Sequence, residues 1–203
     1  MSNYETLIEK AQSLHGEICP GVIMGTRMSM VAMEKLGMDP LEPNDDLMVS
    51  VEVDRCMPDA IQAITGCTVG RRTLKCLDYG KFVATFIDVK TGKTIRISAR
   101  DDKLKDVPGL WTWFENIAEL AREKNMAKIM EEKKSAIGKL SGMSDDDLLL
   151  IEEFDGEVPL IPGLPMDIVV CSICGEHVMD GKQLQDKDEI ICKSCEEQIE
   201  LRN

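Results

Sequence analysis

A histidine and a cysteine four positions apart form the first group in the chain that could do chemistry. They lie in the segment His15-Gly16-Glu17-Ile18-Cys19-Pro20-Gly21. Pro20 suits the first position of a helix, which predicts that Cys19 lies at the helix N-cap. Backbone N–H groups and the helix dipole favour the thiolate there, and the thiolate is both the nucleophile and the metal ligand. The segment therefore indicates either a metal or thiol site, or a structural turn that contains a histidine and a buried cysteine.

Four cysteines near the carboxy terminus have the spacing of a zinc site. Cys171 and Cys174 form one Cys-x2-Cys pair, Cys192 and Cys195 form a second, and residues 175–191 separate them. This pattern matches the four-cysteine zinc motif in pair spacing and in intervening length. Such a site is tetrahedral and closed, which favours a structural role or partner contact over catalysis. A redox disulfide pair and an iron site with the same ligands are the alternatives, and His177 is expected to be a surface residue.

Two further cysteines flank a predicted short helix. Residues 48–54 alternate as a half-buried strand that ends just before Cys56. Pro58 is expected to open the helix, and Gly66 is expected to end it immediately before Cys67. A helix of eight residues is about 12 Å long, so Cys56 and Cys67 reach one ion only if the flanking loops fold back. Cys76 is expected to be a small core residue.

The remaining pattern predicts an α+β fold. Helices are predicted over residues 4–14 and 20–36, and the second is apolar nearly all round, which is typical of a buried helix. A hairpin is predicted over residues 82–100 and a longer helix from residue 108 to about residue 134. Residues 144–147 fit the cap of a brief helical turn, whereas residues 148–154 fit a strand, and the pattern does not decide between the two.

These elements predict two domains. Residues 1–155 are expected to form a mixed helix and antiparallel-sheet core domain, in which Gly21 and Gly25 let another backbone approach the buried helix closely. Residues 156–165 are rich in proline and glycine, which indicates a linker or an extended crossover. Residues 166–203 are expected to form a small zinc-ribbon or treble-clef-like module that is too short to bury a core without metal.

Composition disfavours several partner classes. The chain has 203 residues and a formal net charge of −13, which disfavours nonspecific binding to nucleic acid or to an anionic membrane. No stretch approaches the roughly 20 apolar residues of a membrane-spanning helix, and the N-terminus lacks the basic and apolar regions of a signal peptide. We therefore expect a cytoplasmic protein, in which eight cysteines favour metal or redox chemistry over a disulfide framework.

Three segments together resemble the FmdE family of formylmethanofuran dehydrogenase. The first is the segment around His15 and Cys19, and the third is Asp78-Tyr79-Gly80-Lys81 ahead of the hairpin. The second is Cys56-Met57-Pro58-Asp59-Ala60-Ile61-Gln62-Ala63-Ile64-Thr65-Gly66-Cys67-Thr68-Val69-Gly70. The resemblance covers roughly residues 1–155, and a carboxy-terminal zinc finger is a familiar attachment in this family.

The resemblance implies an α+β core, a homodimer and a metal pocket built from the histidine and cysteines of these motifs. The dehydrogenase complex reduces carbon dioxide onto methanofuran, and its catalytic subunits, not the FmdE component, hold the molybdenum or tungsten pterin. Many members look like stand-alone proteins of anaerobes. Family members often carry a second histidine where this chain has Glu17.

The core-domain site is expected to use His15, Cys19 and Cys56, with Cys67 as a fourth candidate. Thiolate and imidazole suit zinc or another late transition metal, and three protein ligands leave a fourth position for water or substrate. Cys19 and Glu17 are the candidate catalytic residues, Glu17 as a ligand or a proton acceptor. Asp59 has two interpretations: it orients a metal ligand, or it stabilises the first turn of its helix. Tyr79 and Lys81 also have two: they line a pocket, or they begin a strand.

Three classes of function follow. The first is a metal-binding subunit or accessory protein of a formylmethanofuran-dehydrogenase-like oxidoreductase, one that joins other subunits in a larger complex and carries no pterin. The second is a non-catalytic partner-binding or regulatory protein that uses the zinc module as its contact surface. The third is a thiol redox protein that uses Cys19, which the lack of a Cys-x2-Cys pair in the first domain weakens.

We predict that the protein is a homodimer, because the resemblance implies one and because a modest domain is not expected to cover the apolar helix over residues 20–36 alone. Light scattering over a wide concentration range should give twice the mass of one chain. A monomer mass throughout that range would count against the prediction.

Overall fold

The computed structural model of the protein describes residues 3–104, 111, 115, 119–157, 167–186 and 189–200. The chain divides into two compact units, Met1–Leu160 and Ile161–Asn203. Helices and strands are mixed in both units, so the predicted α+β class is confirmed. Residues 158–165 of the predicted linker lie outside the described residues.

The first unit combines helices with one five-stranded sheet. Its helices are α1 (Asn3–His15), α2 (Pro20–Lys35), α3 (Cys56–Thr65), α4 (Asp101–Leu104), α5 (Met126–Gly142) and α6 (Asp145–Leu148). Its strands are β1 (Leu47–Val51), β2 (Leu74–Cys76), β3 (Val83–Asp88), β4 (Lys93–Ala99) and β5 (Leu149–Asp155). The predicted helices at the N-terminus and the predicted hairpin, β3–β4, are all present.

The sheet has the order β2-β1-β3-β4-β5, and every pairing except the parallel pair of β1 and β2 is antiparallel. Alternation along the strands puts one row of side chains inward, as predicted for β1. The inward set includes Val49 opposite Phe86, Val51 opposite Ala84, and Ile95 and Ile97 on β4, all of them buried. The short strand β2 has no periodic signal in the sequence.

Helix α2 lies at the centre of this unit. Twelve of its 16 residues are buried, because α1 and α3 pack on it along with α5 and the sheet. Its methionines Met24, Met28 and Met33 have no exposed surface and fill the core. The chain itself therefore covers α2, and the predicted homodimer now rests on the family resemblance alone.

The prediction of one continuous helix from residue 108 to about residue 134 is wrong. Residues 105–110, 112–114 and 116–118 lie outside the described residues. The helical backbone at residues 119–122 ends at Lys124, whose φ of 55° is incompatible with a right-handed helix. Asn125 then caps α5 by accepting a hydrogen bond from the backbone N–H of Lys128 at 3.2 Å.

Residues 145–155 form both of the predicted alternatives in succession, the turn α6 and the strand β5.

The second unit is two hairpins followed by a helix. Strands β6 (Ile168–Val170) and β7 (His177–Met179) pair antiparallel, as do β8 (Leu184–Asp186) and β9 (Glu189–Ile191). Helix α7 (Lys193–Glu200) follows β9. The small buried cluster consists of Cys171, Ile191, Cys192 and Cys195, with Val178 and Leu184 packed on it.

Helices α2 and α3 approach each other at two glycines, as predicted. A Cβ atom on Gly25 would lie 2.6 Å from the carbonyl oxygen of Met57 and 2.9 Å from Cβ of Ala60. A Cβ atom on Gly21 would lie 2.9 Å from Cβ of Cys56. The two helices can pack at this distance only because both positions lack a side chain.

Gly25→Ala should destabilise the protein, because the added methyl group forces the α3 backbone away from α2. We expect a loss of about 1–3 kcal/mol in the free energy of unfolding, measured by urea titration followed by circular dichroism. Gly138→Ala on α5 is the matched control, since a Cβ atom there meets no atom within 4 Å. This control should stabilise the protein by about 0.5–1 kcal/mol through helix propensity. Equal effects of the two substitutions would contradict the close packing of α2 and α3.

Candidate metal centre

Three side chains from three helix ends converge in the first unit. His15 is the last residue of α1, Cys19 precedes α2, and Cys56 is the first residue of α3. A ring nitrogen of His15 and the two Sγ atoms lie within 4.8 Å of one another. Cys56 therefore begins the helix, two residues before the start predicted at Pro58. The structure brings together the three residues that were predicted first as metal ligands.

The backbone of the turn positions His15 and Cys19. Gly16 has a φ of 96°, which glycine adopts without strain, and its N–H donates to the carbonyl of Gln12 at 2.7 Å. Cys19 has the extended φ and ψ of an N-cap, and Pro20 occupies the start of α2. The turn therefore ends α1 and starts α2 within four residues, with both side chains on the same side.

Asp59 fixes the orientation of the His15 ring. Its Oδ2 atom lies 2.8 Å from Nδ1 of His15, and this contact raises the pKa of the imidazole. The opposite ring nitrogen, Nε2, lies 3.8 Å from Sγ of Cys19. Metal-binding histidines commonly donate one N–H to a carboxylate while the other nitrogen faces the ion. Asp59 is in the first turn of α3, as one interpretation from the sequence has it, and its contact is with a candidate ligand, as the other requires.

The separation of the donor atoms fits a tetrahedral metal. Zn–S bonds of about 2.3 Å and Zn–N bonds of about 2.0 Å at tetrahedral angles place sulfur and nitrogen roughly 3.6 Å apart. The observed distance of 3.8 Å between Cys19 Sγ and His15 Nε2 is close to that value. Imidazole and thiolate donors suit zinc and other late transition metals. Together these residues offer three donor atoms, the number of protein ligands in catalytic zinc sites.

The two thiols of the site differ in proton affinity. A hydrogen bond from the thiol of Cys19 lowers the pKa of Cys56 to about 6, and nearby His15 adds to this effect. The same hydrogen bond, together with burial, raises the pKa of Cys19 well above its ordinary value. The neighbouring sulfur and burial therefore oppose the effect of the helix N-terminus that the sequence predicted for the Cys19 thiol. The N–H groups at the start of α2 do favour its thiolate, but the neighbouring sulfur and burial outweigh them.

Glu17 is not part of the group formed by His15, Cys19 and Cys56. Oε2 of Glu17 forms an ion pair with Nζ of Lys133 on α5 at a distance of 2.5 Å. The side chain of Glu17 is 63% exposed. The sequence motif contained no sign of Lys133. The available signal was a lysine in the apolar stripe of α5 that Ile129, Ala136 and Leu140 define.

The structure does not bring Cys67 to the site. Cys67 is buried in the main core beyond the far end of α3, where its thiol donates to the carbonyl of Leu47 at 3.2 Å. The ten residues of α3 span about 15 Å, and no flanking loop carries Cys67 back to Cys56.

Cys76 is exposed at the end of β2, so its prediction as a core residue is wrong. Tyr79 is 62% exposed, and Lys81 is also exposed.

The four carboxy-terminal cysteines form a second group. Their Sγ atoms lie within 4.8 Å of one another, and the Cys174–Cys192 pair is 3.9 Å apart. Tetrahedral zinc–thiolate geometry requires roughly 3.8 Å between sulfurs. The backbone N–H of Cys192 donates to Sγ of Cys171 at 3.3 Å, and that of Cys195 donates to Sγ of Cys192 at 3.4 Å. His177 lies on β7, is exposed, and is not in the group.

Crowded sulfurs in this second group also have unequal proton affinities. A hydrogen bond from the backbone N–H of Cys174 lowers the pKa of Cys171 to about 6. A hydrogen bond with the side chain of Cys192 raises the pKa of Cys195 to about 12. Four thiolates cannot remain side by side without a cation, and a metal ion supplies that charge. Both groups are therefore compatible with metal binding.

Among the helices in the described ranges, none has the length and hydropathy needed to cross a bilayer.

A protein-family model and a solved structure both match this chain. The model of the family described as "FmdE, Molybdenum formylmethanofuran dehydrogenase operon" matches residues 14–150. The chain is similar to a tungsten formylmethanofuran dehydrogenase FmdE-like protein from Syntrophus aciditrophicus, with 25% identity and a TM-score of 0.55. That match covers 95% of this chain and 91% of the other.

A curated relative matches a shorter region. The chain is 36% identical over 107 residues to a probable S-adenosyl-L-methionine-binding protein of Archaeoglobus fulgidus. The match covers 51% of this chain but only 29% of that protein's length. The family match spans more than half of the chain and includes His15, Cys19, Cys56 and Asp59. The chain therefore belongs to the FmdE family.

Proposed function

We propose that this protein is a metal-binding subunit or accessory protein of a formylmethanofuran-dehydrogenase-like oxidoreductase. In this proposal His15, Cys19 and Cys56 hold zinc or another late transition metal, and the four carboxy-terminal cysteines hold a structural zinc. The observation that carries the proposal is the convergence of three soft or borderline donors from three separate helix ends. Packing of the apolar core alone does not require a histidine and two cysteines to meet at these three helix ends.

The residues around the first group have distinct roles in this proposal. Asp59 keeps the Nδ1 proton of His15 in place, which directs Nε2 toward the ion. Cys19 and Cys56 lose their protons on metal binding and neutralise a divalent charge. A metal with three protein ligands acts as a Lewis acid or activates a bound water at its fourth position. A homodimer and contacts with other subunits belong to the same proposal.

The second group supports a structural role. Four thiolates complete a tetrahedral shell, so such a site has no position for a substrate. The buried cluster of the second unit consists mostly of the cysteines themselves. Zinc therefore contributes much of the stability that a unit of this size cannot obtain from apolar burial.

Metal counting tests the proposal directly. The chain, purified anaerobically and loaded with zinc or cobalt, should hold about two ions, one at each group. Cys19→Ala should lose the ion of the first group and retain its fold, because the residue caps α2 without a side-chain hydrogen bond. Cys174→Ser should lose the other ion and unfold the second unit alone. Elemental analysis gives the count, and the thiolate-to-cobalt absorption bands identify which site is lost.

Cys76→Ser is the matched control for metal counting, because Cys76 is an exposed cysteine outside both groups. It should keep both ions. A parent chain that binds a single ion, unaffected by Cys19→Ala, would refute the metal centre of the first unit.

Asp59→Asn should weaken the first metal site roughly ten- to a hundred-fold, because the amide no longer supports the charge and orientation of His15. Competition with a chelator gives the affinity. In the metal-free protein the pKa of His15 should fall, since the Asp59 contact raises it, and NMR titration of the ring measures this.

Asp54→Asn is the control for this substitution, because Asp54 is an exposed aspartate just before α3. It should leave the metal affinity and the His15 titration unchanged. If Asp59→Asn bound metal as tightly as the parent, the positioning role of Asp59 would be wrong.

A further inference from the structure

Lys133 occupies a position where its helix otherwise buries apolar side chains. The buried stripe of α5 consists of Ile129, Lys133, Ala136 and Leu140, and Lys133 is only 8% exposed. Burying an ammonium group is costly unless a carboxylate or several acceptors compensate it. A leucine or methionine would fill the stripe without this cost. The lysine therefore needs an explanation beyond packing.

The partner of Lys133 lies between two of the proposed metal ligands. Nζ of Lys133 is 2.5 Å from Oε2 of Glu17. Glu17 is two residues from His15 and two residues from Cys19, in the turn that positions both. The ion pair therefore ties the carboxylate of this turn to α5. The Glu17 carboxylate is not in the group formed by the three donor atoms.

A free Glu17 carboxylate would be a competent metal ligand. Zinc accepts carboxylate oxygen at about 2.0–2.2 Å, and a fourth protein ligand converts an open site into a closed one. Gly16, which has a φ of 96°, adjoins Glu17 in the turn. Glu17 also stands two residues along the chain from each of the proposed ligands His15 and Cys19.

We propose that Lys133 is a positioning residue that holds Glu17 away from the metal of the first unit, so that the fourth position stays open to an exogenous ligand. This inference rests on the proposed metal centre. It assigns to α5 a part in the site, although α5 supplies no ligand. Lys133 is thus expected to determine the access of exogenous ligands to the metal.

The test uses the whole chain loaded with cobalt, with azide and imidazole as exogenous ligands. In the parent, each ligand should bind saturably and change the visible cobalt absorption. Lys133→Met keeps the length and packing of the stripe but frees Glu17. Its ligand affinity should fall roughly ten-fold or more, because Glu17 takes the fourth position.

Two further variants separate this effect from general damage. Glu17→Gln combined with Lys133→Met should restore the ligand affinity of the parent, since the amide is a poor ligand for the metal. Lys134→Met is the matched control, because Lys134 is the exposed neighbour on α5, and it should behave as the parent does. If circular dichroism shows that Lys133→Met does not fold, Lys133→Gln replaces it with the same expected loss.

The outcomes distinguish this inference from the proposed function. Cobalt absent from the first unit of the parent chain would overturn the metal centre and this inference with it. A loaded centre with parental ligand affinity in Lys133→Met would overturn the role of Lys133 alone. A double variant that stays as weak as Lys133→Met would also overturn that role, because Glu17 would not be the competing ligand.

Discussion

The close approach of α2 and α3 decides where the chemistry-bearing side chains of the first unit lie. Gly21 leaves no room for a side chain beside Cys56, and Gly25 lies against the α3 backbone at Met57. This contact brings the N-terminal ends of the two helices together, and each end presents one cysteine. His15 joins them because α1 stops at Gly16, and Asp59 then fixes the ring from α3. A wider helix spacing would separate Cys19 from Cys56 and leave His15 without its carboxylate.

The two groups of potential ligands differ in the way that catalytic and structural metal sites differ. The first combines nitrogen and sulfur donors, has three members, and is positioned by a unit with a large apolar core. The second has four sulfurs and is itself the core of its unit. Loss of metal should therefore have different consequences: the first unit keeps its fold through apolar packing, whereas the second depends on the ion.

Short-range patterns in the sequence were sufficient to predict α1, α2, the β3–β4 hairpin, the close packing at Gly21 and Gly25, and, apart from Cys67, the residues that meet in the two groups of potential ligands. These features depend on periodicity, turn residues and motif spacing, all of which are local. The failures involve contacts distant in sequence. Cys76 is exposed because β2 lies at the sheet edge, and Lys133 meets Glu17 only after the chain has folded. The contact of Cys19 with Cys56, which lowers the pKa of Cys56, likewise forms only in the folded chain.

Anomalous scattering from crystals of the chain, grown anaerobically and measured at the zinc, nickel and iron absorption edges, tests the central claim most directly. We predict two anomalous peaks per chain. One should lie about 2.0–2.3 Å from His15 Nε2 and from the sulfurs of Cys19 and Cys56, and the other among the four carboxy-terminal sulfurs. A single peak, confined to Cys171, Cys174, Cys192 and Cys195, with the first group ordered and metal-free at every edge, would contradict the claim.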